Sequence, residues 1–257
     1  MALATLCTSR RVPLRYTRTI WMKCKRNLAA NQSGEDYEED IRNKILEASL
    51  PFVLELGWSR EALSRGAQCV GYPGITHGIF TRGGGDLVHY FNTTSNLRLL
   101  DILKELRHSH GERAITPGQF AETAIRERLK MIVPYVSRWP QAIAVMSLPP
   151  NVPNALATLL TMVDDVCYYA GDRSVDFNWY IRRVGVAGVY KATELYLIQD
   201  KSPDQIDTWD FLRRRMEDAV QLNAIISKSD IASQGAKDVA KSAFITARNI
   251  LGLSWNR

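Results

Sequence analysis

The sequence predicts an all-α protein, and three observations support this class. Apolar residues recur at spacings of three and four along most of the chain, as they do on one face of a helix. No stretch shows the strict apolar–polar alternation of a half-buried strand, and no internal repeat of solenoid period is present. Glycine and proline stand between the periodic segments, where they end helices. With 257 residues, the chain can bury a substantial core in one domain.

The first periodic segments predict a helix-turn-helix-like module. Apolar spacing predicts a helix from Asp40 to Leu56, which Gly57 ends. Ser59 is a preferred N-cap residue and predicts a short helix that runs to about residue 70. After a Gly-Tyr-Pro-Gly turn comes a very short helical segment at residues 75–80, and Asp86 is expected to cap a long helix. This order of elements resembles the amino-terminal module of the TetR regulators.

The remainder of the chain predicts further helices after a loop near residues 108–112. The helix over residues 155–169 is apolar almost all round until Asp164, which predicts that it is buried. A last amphipathic helix at residues 236–251 follows a polar link and is expected to be separable from the bundle. Between the loop and the last helix, the predicted helical segments are 120–136 with a break at Pro134, 139–146, 155–169, 176–199 and a helix that contains Trp209.

The net charge of +6 is concentrated at the amino terminus. Residues 1–30 hold seven of the 33 basic residues, no acidic residue and many hydroxyls, a composition typical of a mitochondrial transit peptide. The rest of the chain keeps 26 basic and 27 acidic groups, a net of −1. A disordered basic arm that binds nucleic acid is the alternative. We therefore expect a transit peptide at 1–30, a folded domain at 35–226 and a membrane-contacting helix at 235–253.

No motif in the sequence indicates catalysis. Asp86 and His89 have the spacing of half a di-metal site, but the chain lacks the second acid/His pair that such sites use. Asp164-Asp165 would suit an isoprenoid-transforming enzyme with magnesium diphosphate, yet Tyr168 occupies the following turn. We therefore expect a protein that is not an enzyme, with no cofactor and no metal site. Cys69 and Cys167 are expected to be buried thiols.

Two segments of the sequence bear on nucleic-acid binding and on protein binding. Residues 72–80 contain no Lys or Arg to neutralise phosphates, so we expect no nucleic-acid partner, with a TetR-type transcription regulator as the alternative. Trp179 and Tyr180 lie among acidic residues, a mixture expected of a protein–protein interface.

The last helix has the pattern of a membrane-surface helix. Its basic residues lie on one face and its apolar residues on the other, and residues 234–257 carry a local excess of +3. A terminal helix that docks on its own domain is the alternative. The residues expected to contact an anionic membrane are Lys237, Lys241, Phe244, Arg248 and Leu251.

Six sequence stretches extend the resemblance to a particular family. They are Ser-Leu-Pro-Pro-Asn-Val-Pro (147–153), Met-Val-Asp-Asp (162–165), Tyr-Ala-Gly-Asp (169–172), Asp-Phe-Asn-Trp-Tyr (176–180), Thr-Glu-Leu (193–195) and Asp-Thr-Trp-Asp-Phe-Leu (207–212). Together they resemble the mitochondrial lipid-binding accessory proteins of coenzyme Q (ubiquinone) biosynthesis. The resemblance runs from about Glu35 to Leu253.

The resemblance implies a TetR-like all-α bundle, usually a homodimer, with an apolar pocket in place of DNA binding. It implies binding of isoprenoid quinone intermediates and other lipids at the matrix side of the inner membrane, as a peripheral protein. It also implies a partner, the di-iron hydroxylase that acts on demethoxyubiquinone. The contact surface that it implies comprises Trp179 and Tyr180, with Asp176, Asp165 and Val166 nearby. The pocket-lining residues cannot be assigned from the sequence.

Overall fold

The computed structural model describes residues 34–73, 79–110, 115–171 and 177–228, together with residue 242. The regular elements in these ranges are all helical, so the predicted all-α class is confirmed. The arrangement is consistent with a TetR-like bundle. The chain divides into two units, residues 1–41 and 42–257.

The helices follow one another with short connections. In the described ranges they are α1 (Gly34–Ser49), α2 (Val53–Leu56), α3 (Arg60–Cys69), α4 (Gly84–His110), α5 (Pro117–Lys130), α6 (Trp139–Met146), α7 (Val152–Tyr169), α8 (Phe177–Gln199) and α9 (Ile206–Lys228).

The amino-terminal helices follow the sequence prediction with two corrections. The single helix predicted from Asp40 to Leu56 begins at Gly34 and is divided in two, because Pro51 has no backbone N–H to continue the first part. A 3-10 turn at Leu50–Phe52 joins α1 to α2, and the Ser59 side chain caps α3 by accepting a hydrogen bond from the Ala62 amide at 3.3 Å. The prediction that Asp86 caps the next helix is wrong. That helix, α4, begins at Gly84, and the Asp86 carboxylate instead accepts a hydrogen bond from the backbone amide of Arg82 at 3.1 Å.

The later helices also lie close to their predicted positions. Helix α6 has the predicted bounds, and a 3-10 helix at Val133–Arg138 contains Pro134 and forms the predicted break. Residues 74–78 lie outside the described residues, as do 236–241 and 243–251. The predicted short helix at 75–80 and the last amphipathic helix therefore remain predictions. Ile79 and Phe80 are not helical.

Helix packing places the core around α4. Helix α4 packs against α5, α6 and α7, while α8 packs along α9 and against α7. Four aromatic rings fill the space where α4 meets α6, with centroid distances of 5.3–5.7 Å between neighbouring rings: Trp58, Phe91, Tyr135 and Trp139. Such tilted and edge-on contacts stabilise a core beyond the area that they bury.

Helix α3 meets α1 at a close backbone approach. A Cβ on Gly66 would lie 2.8 Å from both the Ile45 carbonyl oxygen and the Ser49 Cα atom. The two helices can therefore pack at this distance only with glycine at position 66.

Burial differs from prediction in two places. Helix α7 was predicted to be buried, but only its second half is: residues 154–160 are all half-buried, whereas Met162, Val163, Val166 and Cys167 are buried. Cys167 is buried as predicted, but Cys69 is exposed at the end of α3, so that prediction is wrong. In the described ranges, no helix is both long enough and apolar enough to cross a membrane.

Candidate functional site

The predicted protein-contact residues lie on two neighbouring helices. Trp179 and Tyr180 belong to the first turn of α8, and their side chains lie outside the described part of the chain. Asp165 and Val166 belong to α7 and are only 7% and 1% exposed. Asp176 lies outside the described residues. In this chain alone, Asp165 and Val166 lie beneath the surface.

An ion pair joins α7 to the start of α8. The Arg183 guanidinium donates through Nε and Nη2 to Oδ1 of Asp164, at 2.8 and 2.7 Å. The arginine side chain is 4% exposed and the carboxylate 14%. Arg183 follows Tyr180 by three residues, so this pair holds the beginning of α8 against α7.

The predicted membrane-contacting side chains belong to a segment outside the described part of the chain. These are Lys237, Lys241, Phe244, Arg248 and Leu251, and all five lie outside the described residues. Their assignment stays a prediction.

The region that the sequence predicts to be a helix-turn-helix-like module uses nearby arginines for internal contacts. The Arg82 guanidinium pairs with Asp86 at 2.8 Å. Arg42 donates to the Ile79 carbonyl at 2.6 Å, and its guanidinium lies over the Phe80 ring. These two cations fix the turn before α4. Their hydrogen bonds leave them poorly placed to contact phosphates.

A cluster of buried and half-buried polar side chains lies where α4 meets α5, α7 and the turn before α7. We call it the polar seam. It comprises Arg82, Asp86, His89, Asn92 and Asn96 of α4 and the turn before it, Arg128 of α5, and Asn151, Asn154 and Thr158 of α7 and the turn before it.

Arg128 is the charged centre of the polar seam. Its side chain is 2% exposed, yet it donates only to amide oxygens, through Nε to Asn96 at 3.1 Å and through Nη2 to Asn92 at 2.7 Å. Its Nη1 has no hydrogen-bond partner among the described residues. Asn96 in turn donates to the Thr158 carbonyl at 2.9 Å and so ties α4 to α7. Burying a cation in this way is costly unless another group offsets the lost hydration.

The opposite end of the polar seam surrounds a small cavity. His89 lies beside Thr158, with 3.5 Å between Nδ1 and Oγ1. Burial first, and then the neighbouring Arg82 charge, lower the pKa of His89, while Asp86 opposes that shift. The imidazole in this wall is therefore neutral at pH 7.

The polar seam was not predicted from the sequence, although the spacing of its α4 residues was a signal. Asp86, His89, Asn92 and Asn96 are spaced by three, three and four residues, so they share one face of α4. Such a stripe is ordinarily a solvated face. Only the packing of α7 over it shows that it is interior.

The described residues contain no group of three His, Cys, Asp or Glu side chains that could hold a metal ion. Asp86 pairs with Arg82, and Asp164 pairs with Arg183. In both cases a guanidinium occupies the place beside the carboxylate that a cation would take.

The fold and the polar seam together define a helical-bundle protein with an interior polar site. Two family models match this chain: the one described as COQ9 over residues 152–223, and the one described as ubiquinone biosynthesis protein COQ9, N-terminal domain, over residues 38–68. The chain belongs to the COQ9 family.

Three relatives illustrate the similarity, and each is named ubiquinone biosynthesis protein COQ9, mitochondrial. The Drosophila melanogaster protein is 48% identical over 217 residues, which cover 84% of this chain and 67% of the relative. The Rattus norvegicus protein is 39% identical, with 88% of this chain and 75% of the relative covered. The Homo sapiens protein is 38% identical, with 88% and 73% covered.

Proposed function

We propose that this chain is a non-catalytic lipid-binding protein that takes isoprenoid quinone intermediates from the inner membrane and presents them to the di-iron demethoxyubiquinone hydroxylase. The broader part of this function, a role in ubiquinone biosynthesis in the mitochondrion, follows from the family and from the names of its members. The finer part is our proposal, and the α7 geometry supports it.

The observation that carries lipid binding is the half-open apolar surface of α7. Residues 154–160 are half-buried throughout, and they include Leu156, Leu159 and Leu160. This surface adjoins the polar seam through Thr158. A polyprenylated quinone combines an apolar tail with a few polar atoms in its headgroup, and it is nearly insoluble in water. An apolar surface beside a polar interior site fits both parts.

Mass spectrometry of co-purified lipid tests this part directly. The full chain, expressed in cells that make ubiquinone, should retain an isoprenoid or quinone after extensive washing. A preparation that is reproducibly free of lipid would contradict the proposal.

The hydroxylase is proposed to dock on the surface formed by the first turn of α8. Trp179 and Tyr180 would make the contact, with Asp176 beside them. Asp165 and Val166 are buried, so they would shape this surface from beneath. Aromatic residues at the centre of an interface commonly dominate its binding energy.

A charge placed on this surface should weaken the complex strongly. Trp179→Lys is expected to weaken hydroxylase binding at least about 30-fold, equivalent to about 2 kcal/mol, because an aromatic anchor is lost. Leu54→Lys is the matched control, since Leu54 is also apolar, is 44% exposed and lies on α2. Equal binding by Trp179→Lys and wild type, with both folded by circular dichroism, would relocate the interface.

The last helix is proposed to hold the protein at the anionic membrane surface. Lys237, Lys241 and Arg248 would contact headgroups while Phe244 and Leu251 enter the interface. Reversing the three charges to Glu should reduce sedimentation with vesicles that contain anionic phospholipid, and added salt should weaken the wild-type interaction. Salt-insensitive binding that survives the reversal would favour a helix docked on its own domain.

A transcription regulator, the alternative, is not favoured because the cations at the turn before α4 are engaged internally. We also propose that the protein is a homodimer. Analytical ultracentrifugation of the full chain tests this proposal. A monomer at every protein concentration would contradict it.

A further inference from the structure

The polar seam leaves a hydrogen-bond acceptor unmatched in the protein interior. Asn151 is 7% exposed, and its Oδ1 atom is buried without a hydrogen-bond partner among the described residues. Native proteins satisfy nearly all buried polar atoms, with protein, water or ligand. This oxygen therefore calls for a partner that the chain itself does not provide.

The orientation of the Asn151 amide is fixed by a neighbouring carbonyl. Its Nδ2 donates to the Val145 carbonyl oxygen at 2.8 Å. Rotating the amide by half a turn would place Oδ1 against that oxygen, and two acceptors would then face each other. The amide thus keeps its oxygen as the atom available to another molecule. Because an amide oxygen only accepts, that molecule must offer a hydrogen-bond donor.

Asn151 lines a small cavity between α4, the α6–α7 turn and α7. The cavity measures about 10 Å³, close to the space that one water-sized group needs. Gly85 forms part of its wall, and a Cβ at that position would lie 2.6 Å from Oδ1 of Asn151. The cavity has room for one hydroxyl, and a methyl group at position 85 would collide with the Asn151 amide. His89 and Thr158 also line it.

The cavity adjoins the half-open surface of α7. Ala155 and Thr158 line the cavity and also belong to the half-buried segment 154–160. A hydroxyl held in the cavity can therefore belong to a larger molecule whose apolar part lies along α7.

We infer that the cavity beside Asn151 binds the hydroxyl of a phenol or hydroquinone headgroup, so that this protein prefers the reduced form of its isoprenoid ligand. The hydroxyl donates to Oδ1, whereas the corresponding quinone oxygen is an acceptor and opposes it. The inference rests on the proposed function, because it takes the ligand to be an isoprenoid with such a headgroup. The neutral His89 in the wall can donate one hydrogen bond and accept another, which suits a neutral hydroxyl.

Anaerobic titration of the full chain with two probes tests this preference. The probes are a benzoquinone that carries one isoprenoid unit and the hydroquinone obtained by reducing it. Wild type should bind the hydroquinone at least about tenfold more tightly, because only this form satisfies the buried acceptor. Gly85→Ala should lower hydroquinone affinity to that of the quinone, since its methyl group would collide with the Asn151 amide and displace the acceptor.

Gly188→Ala is the matched control. Gly188 is also a helical glycine, but a Cβ there meets nothing within 4 Å, so this variant should keep the tenfold preference.

The possible results separate the inference from the proposed function. Equal wild-type affinity for the two probes would mean that the cavity holds only water, and it would overturn the redox preference while leaving lipid binding intact. A preference that Gly85→Ala retains in full would place the hydroxyl elsewhere and also overturn the inference. Failure to bind either probe, together with lipid-free preparations, would overturn the proposed function as well.

Discussion

Removing Arg183 should destabilise the protein strongly, because it strips a carboxylate inside the fold of its guanidinium partner. Taking one member from a buried ion pair costs about 3–5 kcal/mol. The Asp164 side chain keeps 14% exposure, so water can reach part of it and the lower end applies. We expect Arg183→Met to lower the free energy of unfolding by about 3 kcal/mol. With a urea slope of about 2 kcal/mol per M, the unfolding midpoint should fall by about 1.5 M.

A second substitution separates the effect of the lost ion pair from that of lost packing. Asp164→Asn in the Arg183→Met background removes the charge and should recover about 2 kcal/mol, since a neutral amide is cheaper to bury. Arg213→Met is the matched control. Arg213 pairs with Glu217 at 3.5 Å, but both side chains are more than half exposed, so the change should stay below about 0.5 kcal/mol. A loss below about 1 kcal/mol for Arg183→Met, or no recovery in the double variant, would refute the reasoning.

Three further measurements test other parts of the fold. Gly66→Ala should lower the free energy of unfolding by about 1–3 kcal/mol, because its methyl group would collide with the backbone of α1. Gly188→Ala should raise it by about 1 kcal/mol, because alanine has the higher helix propensity and its methyl group meets nothing. Equal effects of the two substitutions in urea melts would contradict the close approach at Gly66. The Trp139 indole donates to Glu194 at 3.1 Å in the core, and leucine at position 194 offers no acceptor. A Trp139→Phe and Glu194→Leu double-mutant cycle should therefore give about 1.5–3 kcal/mol of coupling, and additive effects would exclude a strong bond. The lowered pKa of His89 means that the unfolded chain binds more protons than the folded chain below about pH 6.5, so the free energy of unfolding should fall as pH drops through that range. The free energy of unfolding of the His89→Gln variant should fall less. Parallel pH curves for the variant and wild type would show that this histidine is not the cause.

Local rules in the sequence were sufficient to predict most helix bounds. Ser59 caps α3 as its residue type predicts, and Pro134 breaks the helix where its missing N–H requires. Asp86 was misassigned because Asp is a common N-cap residue, while here three glycines precede it. The turn at Gly83 closes early, with the Asp86 amide donating to the Gly83 carbonyl at 3.0 Å, so the helix is already under way at Asp86.

Burial was harder to predict, because it depends on which helices pack together. The apolar residues of α7 indicated a buried helix, and the structure leaves residues 154–160 half-open. Conversely, Arg128 and Asn92 look like surface residues in the sequence and are 2% and 9% exposed. Periodicity identifies the faces of a helix. It does not identify the neighbour that covers each face.

Burying the polar side chains of the polar seam costs free energy, and this cost argues that the polar seam has a function. Buried charges and amides can often be replaced by apolar residues of similar size with no loss of stability, and sometimes with a gain. Arg128 meets two amide oxygens and, in the described ranges, no carboxylate partner, while Asn151 keeps an unmatched acceptor. Departures from interior packing rules of this kind are expected at functional sites. A bundle required only to shelter an isoprenoid tail would need no such polarity, which supports our proposal that the polar seam serves to recognise a headgroup.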